Sequence, residues 1–161
     1  MPPILVSACL LGQPVRYDGR AGEGSELLLR WQQRGWLQPL CPEMAGGLPV
    51  PRPAAEIHGP GGGAAVLRGQ IRLRVQQGPD PTEAFIAGAQ AALALAQRHG
   101  CRYAVLTERS PSCGSTHICD GSFSRRLIEG EGLTTALLRQ HGIEVFSQHQ
   151  LDELAQHLPA H

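Results

Sequence analysis

Short apolar runs alternate along the chain with stretches in which apolar residues recur at helical spacing. Four runs are typical of buried strands, since they are short, often β-branched and bounded by turn residues: 4–9, 36–40, 103–106 and 143–146. Helices are predicted between them over about 25–34, 80–99 and 134–141, with a last helix after residue 150. This alternation favours a Rossmann-like α/β fold, a parallel sheet flanked by helices, and 161 residues favour a single domain over 1–161.

The segment between the second and third predicted strands has a different pattern. Residues 41–53 are so rich in proline and glycine that we expect a loop of fixed path without a helix. Residues 59–63 are predicted to be a flexible tip, and the alternation over 66–75 favours edge strands or a small antiparallel hairpin. We expect 123–128 to be a short strand or an ordered loop.

Three cysteines lie at or after the ends of predicted strands: Cys9, Cys41 and Cys113. The carboxyl ends of parallel strands meet at one edge of a sheet, where α/β proteins bind their ligands, so we expect these thiols to lie close together. Their spacing contains no CxxC pair and does not indicate a zinc ribbon, and a buried structural cysteine is an alternative for each. Cys101 begins a strand at the opposite end and is predicted to be a core residue. Cys119, near a turn, could lie near the site but is not predicted to be a ligand.

Composition narrows the range of functions. The formal net charge is zero, so we expect neither nucleic acid nor a membrane surface as a partner. All 14 basic residues are arginine, which excludes lysine chemistry such as a Schiff base. The N-terminus lacks the pattern of a signal peptide, so a cytoplasmic location is expected. In that compartment five cysteines indicate metal ligands, nucleophiles or core residues rather than disulfides.

Six motifs occur in one order over nearly the whole chain: 7–12, 15–19, 41–49, 51–53, 110–114 and 120–124. Together they resemble the thiouracil desulfidase (TudS) family, formerly a domain of unknown function. The resemblance implies that Cys9, Cys41 and Cys113 hold a [4Fe-4S] cluster whose fourth iron has no protein ligand. It further implies that a thiocarbonyl sulfur binds there and that C=S is exchanged for C=O with release of sulfide.

The same resemblance implies catalytic roles for Glu43 and Ser110. Glu43 lies two positions beyond Cys41, so in extended geometry its carboxyl projects on the side of the thiolate and could pass a proton or orient water. The alternatives are a carboxylate that binds loop amides and a serine that only forms a turn before Pro111.

Three further residues are candidates for substrate binding: Arg16, Asp18 and Ser112. A surface ion pair is the alternative for Arg16 and Asp18, and Ser112 and Ser115 are also candidate hydrogen-bond donors to cluster sulfurs. The chain departs from the family pattern at Thr107, where a lysine is common, and at Cys119, where an aromatic residue is common. These two departures leave the substrate specificity open.

We therefore expect a [4Fe-4S]-dependent desulfidase that acts on thiolated pyrimidine bases such as 2-thiouracil without net electron transfer. The expected partner is a small thiolated molecule, and the expected state is a monomer or a weak homodimer. Two alternatives remain: a cysteine-persulfide sulfurtransferase with Cys113 as nucleophile, and a non-catalytic zinc or iron–sulfur binding module.

Overall fold

The computed structural model of the chain describes residues 3–12, 17–18, 25–108 and 110–159. In chain order its strands are β1 (Ile4–Ser7), β2 (Leu37–Leu40), β3 (Ala55–Ile57), β4 (Leu73–Val75), β5 (Tyr103–Leu106), β6 (His117–Cys119), β7 (Leu127–Glu129) and β8 (Glu144–Ser147). Its helices are α1 (Glu26–Gln33), α2 (Pro42–Ala45), α3 (Gly62–Leu67), α4 (Thr82–His99), α5 (Leu133–Gln140) and α6 (Leu151–Ala155), and a short 3-10 helix covers Ala8–Leu11.

The central sheet has the strand order β2-β1-β5-β8, and every neighbouring pair is parallel. β2 lies at an edge, which explains how a strand can contain Pro39, a residue with no amide hydrogen to donate. The predicted parallel α/β sheet is therefore confirmed. Cys9 lies in the 3-10 helix just after β1 rather than within the strand.

Side chains of β1 alternate between two apolar layers, as a strand buried on both faces requires. Ile4 and Val6 pack with residues of α1 and α6, including Trp31 and Leu154. Leu5 packs on the other face with the small residues of α4 and with α5. Helices thus cover both faces of the sheet and leave its carboxyl edge to loops.

Polar side chains at their starts and a glycine after α4 delimit α1 and α4. Ser25 accepts a hydrogen bond from the Leu28 amide at 3.4 Å and caps α1. The Asp80 carboxylate accepts one from the Thr82 amide at 2.8 Å, and Gly100 ends α4 with a φ of 65°. No helix within the described residues is long and apolar enough to cross a membrane.

Two helices occupy segments for which no helix was predicted. α2 begins at Pro42, directly after Cys41, where a proline is tolerated because the first amide of a helix has no intrahelical partner. α3 replaces the tip predicted at 59–63 and the start of the predicted alternation. Its Gly63 lies against the backbone of Gly132 so closely that a Cβ would collide, so packing on the start of α5 determines this segment.

Within the described residues, two small sheets are antiparallel. β3 pairs with β4, which confirms a small antiparallel element but limits it to 73–75 on the second strand. β6 pairs with β7, so the short strand expected within 123–128 begins only at Leu127. Both small sheets contribute residues to a cavity at the carboxyl edge of the parallel sheet.

Candidate functional site

A cavity of about 380 Å³ opens at the carboxyl edge of the parallel sheet. Cys9, Cys41 and Cys113 all line it, and they follow the three adjacent strands β1, β2 and β5. The structure thus brings together three thiols that are widely separated in the sequence. Glu43 and Ser110, the two residues with predicted catalytic roles, line the same cavity.

Local structure positions each cysteine. Cys9 lies in the 3-10 helix that Gly12 ends with a φ of 87°. Cys41 is the residue before the first turn of α2. Cys113 lies in the loop after β5, where its amide donates a hydrogen bond of 2.7 Å to the Ser110 hydroxyl oxygen. Ser110 therefore forms the turn and lines the cavity at once.

Each of the three sulfurs has a polar contact from another part of the chain. The Ser7 hydroxyl donates to Cys113 Sγ at 3.7 Å, and Thr107 Oγ1 lies 2.9 Å from Cys9 Sγ. Arg52 Nη2 approaches Cys41 Sγ at 4.0 Å. The donors predicted for this task were Ser112 and Ser115, but the Ser115 hydroxyl donates to Glu108 at 3.1 Å instead.

Burial raises the pKa of the Cys113 thiol well above its ordinary value. The nearby carboxylate of Glu43 and the other two thiols raise that pKa further, whereas the hydrogen bond from Ser7 lowers it. The three sulfurs and Glu43 are therefore close enough to influence one another's charge. A bound cation would reverse this balance, because metal binding favours the deprotonated thiolate.

No three Cys, His, Asp or Glu side chains in the described part of the chain are grouped to hold a single metal ion. The three thiols instead border a cavity whose volume is that of a small-molecule site, about 300 to 1,000 Å³. A ligand that binds each sulfur through a different atom matches this arrangement.

Glu43 lies in the first turn of α2, not in the extended geometry assumed from the sequence, yet it lines the cavity with Cys41. Arg52 Nε donates to Glu43 Oε1 at 3.1 Å, and Arg52 Nη1 donates to the Pro49 carbonyl at 3.0 Å. Burial raises the pKa of the Glu43 carboxyl, and the charge and hydrogen bond of Arg52 oppose that rise.

Glu108 lines the cavity and binds the loop that follows Cys113. Its carboxylate accepts hydrogen bonds from the amides of Ser115, Thr116 and His117 at 2.9, 3.0 and 3.1 Å. Burial alone would raise the pKa of Glu108, but these bonds and that of the Thr116 hydroxyl outweigh it and lower the pKa to about 2. Glu108 is thus a structural anion that positions β6.

Glu56, which also lines the cavity, has a similar role. This buried carboxylate accepts hydrogen bonds from the amides of Gly121 and Phe123 at 2.9 and 3.2 Å. Phe123 and Arg125, both of which line the cavity, have φ values of 59° and 63°, a region that bulky residues rarely adopt. Glu56 therefore stabilises a strained loop that forms part of the cavity wall.

The remaining predicted residues have different positions. Arg16 lies outside the described residues; Asp18 is exposed and is not among the residues that line the cavity. Ser112 is buried within the loop after β5 and is not among the residues that line the cavity, and its hydroxyl has no hydrogen-bond partner among the described residues. Cys101 lies in the core, as predicted, whereas Cys119 lines the cavity.

Ser7, Arg52, Glu56 and Glu108 had no predicted role. Both Ser7 and Arg52 nevertheless lie within the motifs that carry the family resemblance. Ser7 begins the motif that contains Cys9, and Arg52 lies between two prolines in motif 51–53, so these positions were available signals. Glu56 and Glu108 carry no local signal, because their partners are backbone amides elsewhere in the chain.

The profile of the 2-thiouracil desulfurase family matches residues 4–150. The chain belongs to this family. The matched range includes all three cavity cysteines, Glu43 and Ser110.

Two similar proteins cover nearly the full chain. The uncharacterized protein YbbK of Bacillus subtilis (strain 168) is 40% identical over 151 residues, which are 94% of this chain and 99% of that protein. A solved structure described as the [4Fe-4S]-dependent thiouracil desulfidase TudS is 48% identical, with a TM-score of 0.87, and the match covers 98% of this chain and 97% of that one. The family resemblance inferred from the motifs is confirmed.

Proposed function

We propose that this chain is a [4Fe-4S]-dependent desulfidase that removes sulfur from a thiolated pyrimidine base such as 2-thiouracil, converting C=S to C=O and releasing sulfide. The observation that carries the proposal is the convergence of Cys9, Cys41 and Cys113 on one cavity that also contains Glu43. Membership of the 2-thiouracil desulfurase family and the similarity to TudS support it.

The residues present fit a cluster of this kind. Cysteine thiolates are the usual protein ligands of iron–sulfur clusters. Cys9, Cys41 and Cys113 would each bind a different iron of such a cluster, so the three ligands would need to surround a volume rather than converge on one point. The cavity of about 380 Å³ bordered by three thiols meets that requirement and leaves room for a small ligand.

When bound, the cluster supplies an iron without a protein ligand, a Lewis acid with an affinity for sulfur. Glu43 orients the attacking water and accepts its proton, and Arg52 fixes the carboxylate through Oε1. Burial raises the pKa of Glu43, which makes it a stronger base than an exposed carboxylate. The overall change, C=S and water to C=O and hydrogen sulfide, is balanced without an oxidant or a reductant.

Ser110 is proposed to orient the substrate. Its oxygen accepts the hydrogen bond of the Cys113 amide, so its own proton is directed elsewhere and is suited to a heteroatom of a ligand in the cavity. Tyr17, Phe123 and Leu127 provide large apolar surface on the cavity wall, suited to a planar ring.

Two further expectations remain proposals. The family match and the single parallel sheet support one domain. A cytoplasmic location is proposed because Cys9, Cys41 and Cys113 line one cavity, as metal ligands rather than disulfide partners would.

The geometry gives less support to a persulfide sulfurtransferase that uses Cys113. A nucleophilic cysteine is accessible and has a lowered pKa. Cys113 is only 5% exposed, and burial raises its pKa.

The test is anaerobic reconstitution followed by measurement of iron, bound sulfide, and the uracil and sulfide formed from 2-thiouracil. We expect bound iron to be lost when Cys9, Cys41 or Cys113 is changed to serine. Cys101→Ala is the control, because this cysteine lies in the core and is not among the residues that line the cavity, and it should retain iron. An intact cluster with neither product would reject the proposed substrate, and a Cys9→Ser variant with full iron content would reject the ligand set.

A further inference from the structure

Ser7 carries a hydroxyl at the end of an otherwise apolar strand. It ends β1 after Ile4, Leu5 and Val6, which are all fully buried, and it is itself 3% exposed. A buried hydroxyl is unfavourable unless it is hydrogen-bonded. Ser7 has two bonds: its oxygen accepts from the Thr107 amide at 3.0 Å, and its proton is donated to Cys113 Sγ at 3.7 Å.

The amide of Thr107 thereby determines the direction of the Ser7 proton. Because the Ser7 oxygen already accepts from that amide, its single proton is available for the sulfur. This bond joins the end of one central strand to the loop after the other, 106 residues apart in the sequence.

The Thr107 side chain makes the equivalent contact with a second sulfur. Its Oγ1 lies 2.9 Å from Cys9 Sγ, and either atom could be the donor while the cysteine is a thiol. A thiolate bound to iron has no proton, so in that state Thr107 is the donor. The contacts are therefore reciprocal between the neighbouring strands β1 and β5. Ser7, at the end of β1, contacts the cysteine after β5, and Thr107, after β5, contacts the cysteine after β1.

We propose that Ser7 and Thr107 are positioning residues whose hydroxyls donate hydrogen bonds to two of the three cluster-ligand sulfurs and thereby set the reduction potential of the cluster. This inference rests on the ligand set of the proposed function. Hydrogen bonds to cysteine sulfurs stabilise the more negative, reduced state of an iron–sulfur cluster. They also draw electron density from the ligands, which makes the iron a stronger acceptor for a substrate sulfur.

The experiment compares Ser7→Ala and Thr107→Val with the parent protein after anaerobic reconstitution. The midpoint potential of the cluster is measured, together with iron content and the resonance Raman Fe–S stretching bands in H₂O and D₂O. Each variant should bind iron, show a more negative midpoint potential than the parent and lose part of the deuterium-sensitive shift. Thr107→Ser, which retains the hydroxyl, should restore the parent potential.

The chain offers matched controls for both changes. Ser147 ends β8 in the same sheet, is 2% exposed and accepts a backbone amide at 3.1 Å, so Ser147→Ala removes a comparable hydroxyl away from the cysteines. Thr134→Val removes a fully buried threonine hydroxyl that has no partner among the described residues. Both controls should keep the parent potential.

The outcomes separate this inference from the proposed function. Unchanged potential and Raman shifts in Thr107→Val overturn the role of the hydroxyls, even if the enzyme converts 2-thiouracil. A shifted potential in a protein that does not release sulfide supports the hydroxyl role and rejects the substrate. If Ser7→Ala fails to fold, the comparison of Thr107→Val with Thr107→Ser decides, since a purely structural role predicts equal potentials.

Discussion

Arg52 and Glu43 form a largely buried ion pair on the wall of the cavity, with Nε 3.1 Å from Oε1 and side chains that are 3% and 16% exposed. The pair joins α2, which follows a cavity cysteine, to the proline-rich segment after it. Arg52 also donates to the Pro49 carbonyl and approaches Cys41 Sγ. One guanidinium thus orients both a carboxylate and a thiol.

We expect Arg52→Gln to lower the free energy of unfolding by about 3 kcal/mol, because it leaves a buried carboxylate without its counter-charge. Arg52→Gln/Glu43→Gln should be less destabilised than the sum of the two single variants by about 1 kcal/mol or more. Urea unfolding of the four proteins measures this coupling. Additive effects would show that the ion pair is not the source of the stability.

Glu43→Gln should lower the turnover of 2-thiouracil by roughly 10²- to 10⁴-fold, the range for loss of a general base. The amide retains the size of the side chain but cannot accept a proton, so iron content and the visible spectrum should remain at the parent values. Glu26→Gln, in the first turn of α1, is the control and should retain turnover. Parent-like turnover in Glu43→Gln would assign the proton transfer to another group.

Glu108→Gln should destabilise the protein at neutral pH but not in acid. The pKa of Glu108 is about 2 in the folded protein and near 4.5 when unperturbed, so its charge stabilises the fold above about pH 4.5. That contribution decreases as the pH falls toward 2. Because Glu108 is partly exposed, we expect about 1 to 2 kcal/mol at pH 7 rather than the full value of the shift.

Urea unfolding of cluster-free parent and Glu108→Gln between pH 3 and 7 measures this dependence. The difference in unfolding free energy should be constant above pH 5 and should shrink below pH 4.5. A difference that is independent of pH would show that the loop bonds do not depend on the charge of Glu108.

Gly88→Ala should destabilise the protein although alanine favours helices. A Cβ at Gly88 would collide with the Pro42 carbonyl, so the change forces α2 away from α4. We expect this overpacking to lower the free energy of unfolding by about 2 kcal/mol. In a helix without a close neighbour, the same substitution would raise it by about 1 kcal/mol. Thermal unfolding measures the loss of stability. Iron content measures whether the displacement of α2 disturbs the site, since Cys41 directly precedes this helix.

Ala87→Gly is the control, since it measures the effect of helix propensity alone at the neighbouring, exposed position of the same helix. It should cost about 1 kcal/mol from helix propensity alone and leave iron binding unchanged. If Gly88→Ala instead stabilised the protein, the close contact between α2 and α4 would not limit this position.

The sequence determined the α/β class, the four parallel strands and the position of three cysteines, Glu43 and Ser110 at the cavity on the sheet edge. The periodicity of apolar residues and the turn residues predict each helix and strand from its own segment of the chain. The carboxyl ends of parallel strands then necessarily lie at one edge of the sheet. That topological rule predicted the meeting of Cys9, Cys41 and Cys113 without any knowledge of distances. The motif resemblance then correctly identified the family.

Only the tertiary structure decided which side chains form hydrogen bonds with which cysteine sulfurs. The bonds of Ser7 to Cys113 and of Thr107 to Cys9 join residues 106 and 98 positions apart, and no local pattern encodes such pairs. α2 and α3 form in segments rich in glycine and proline because their small residues pack directly on the backbone of α4 and α5. Local propensity is a weak preference, and close packing between distant segments overrides it.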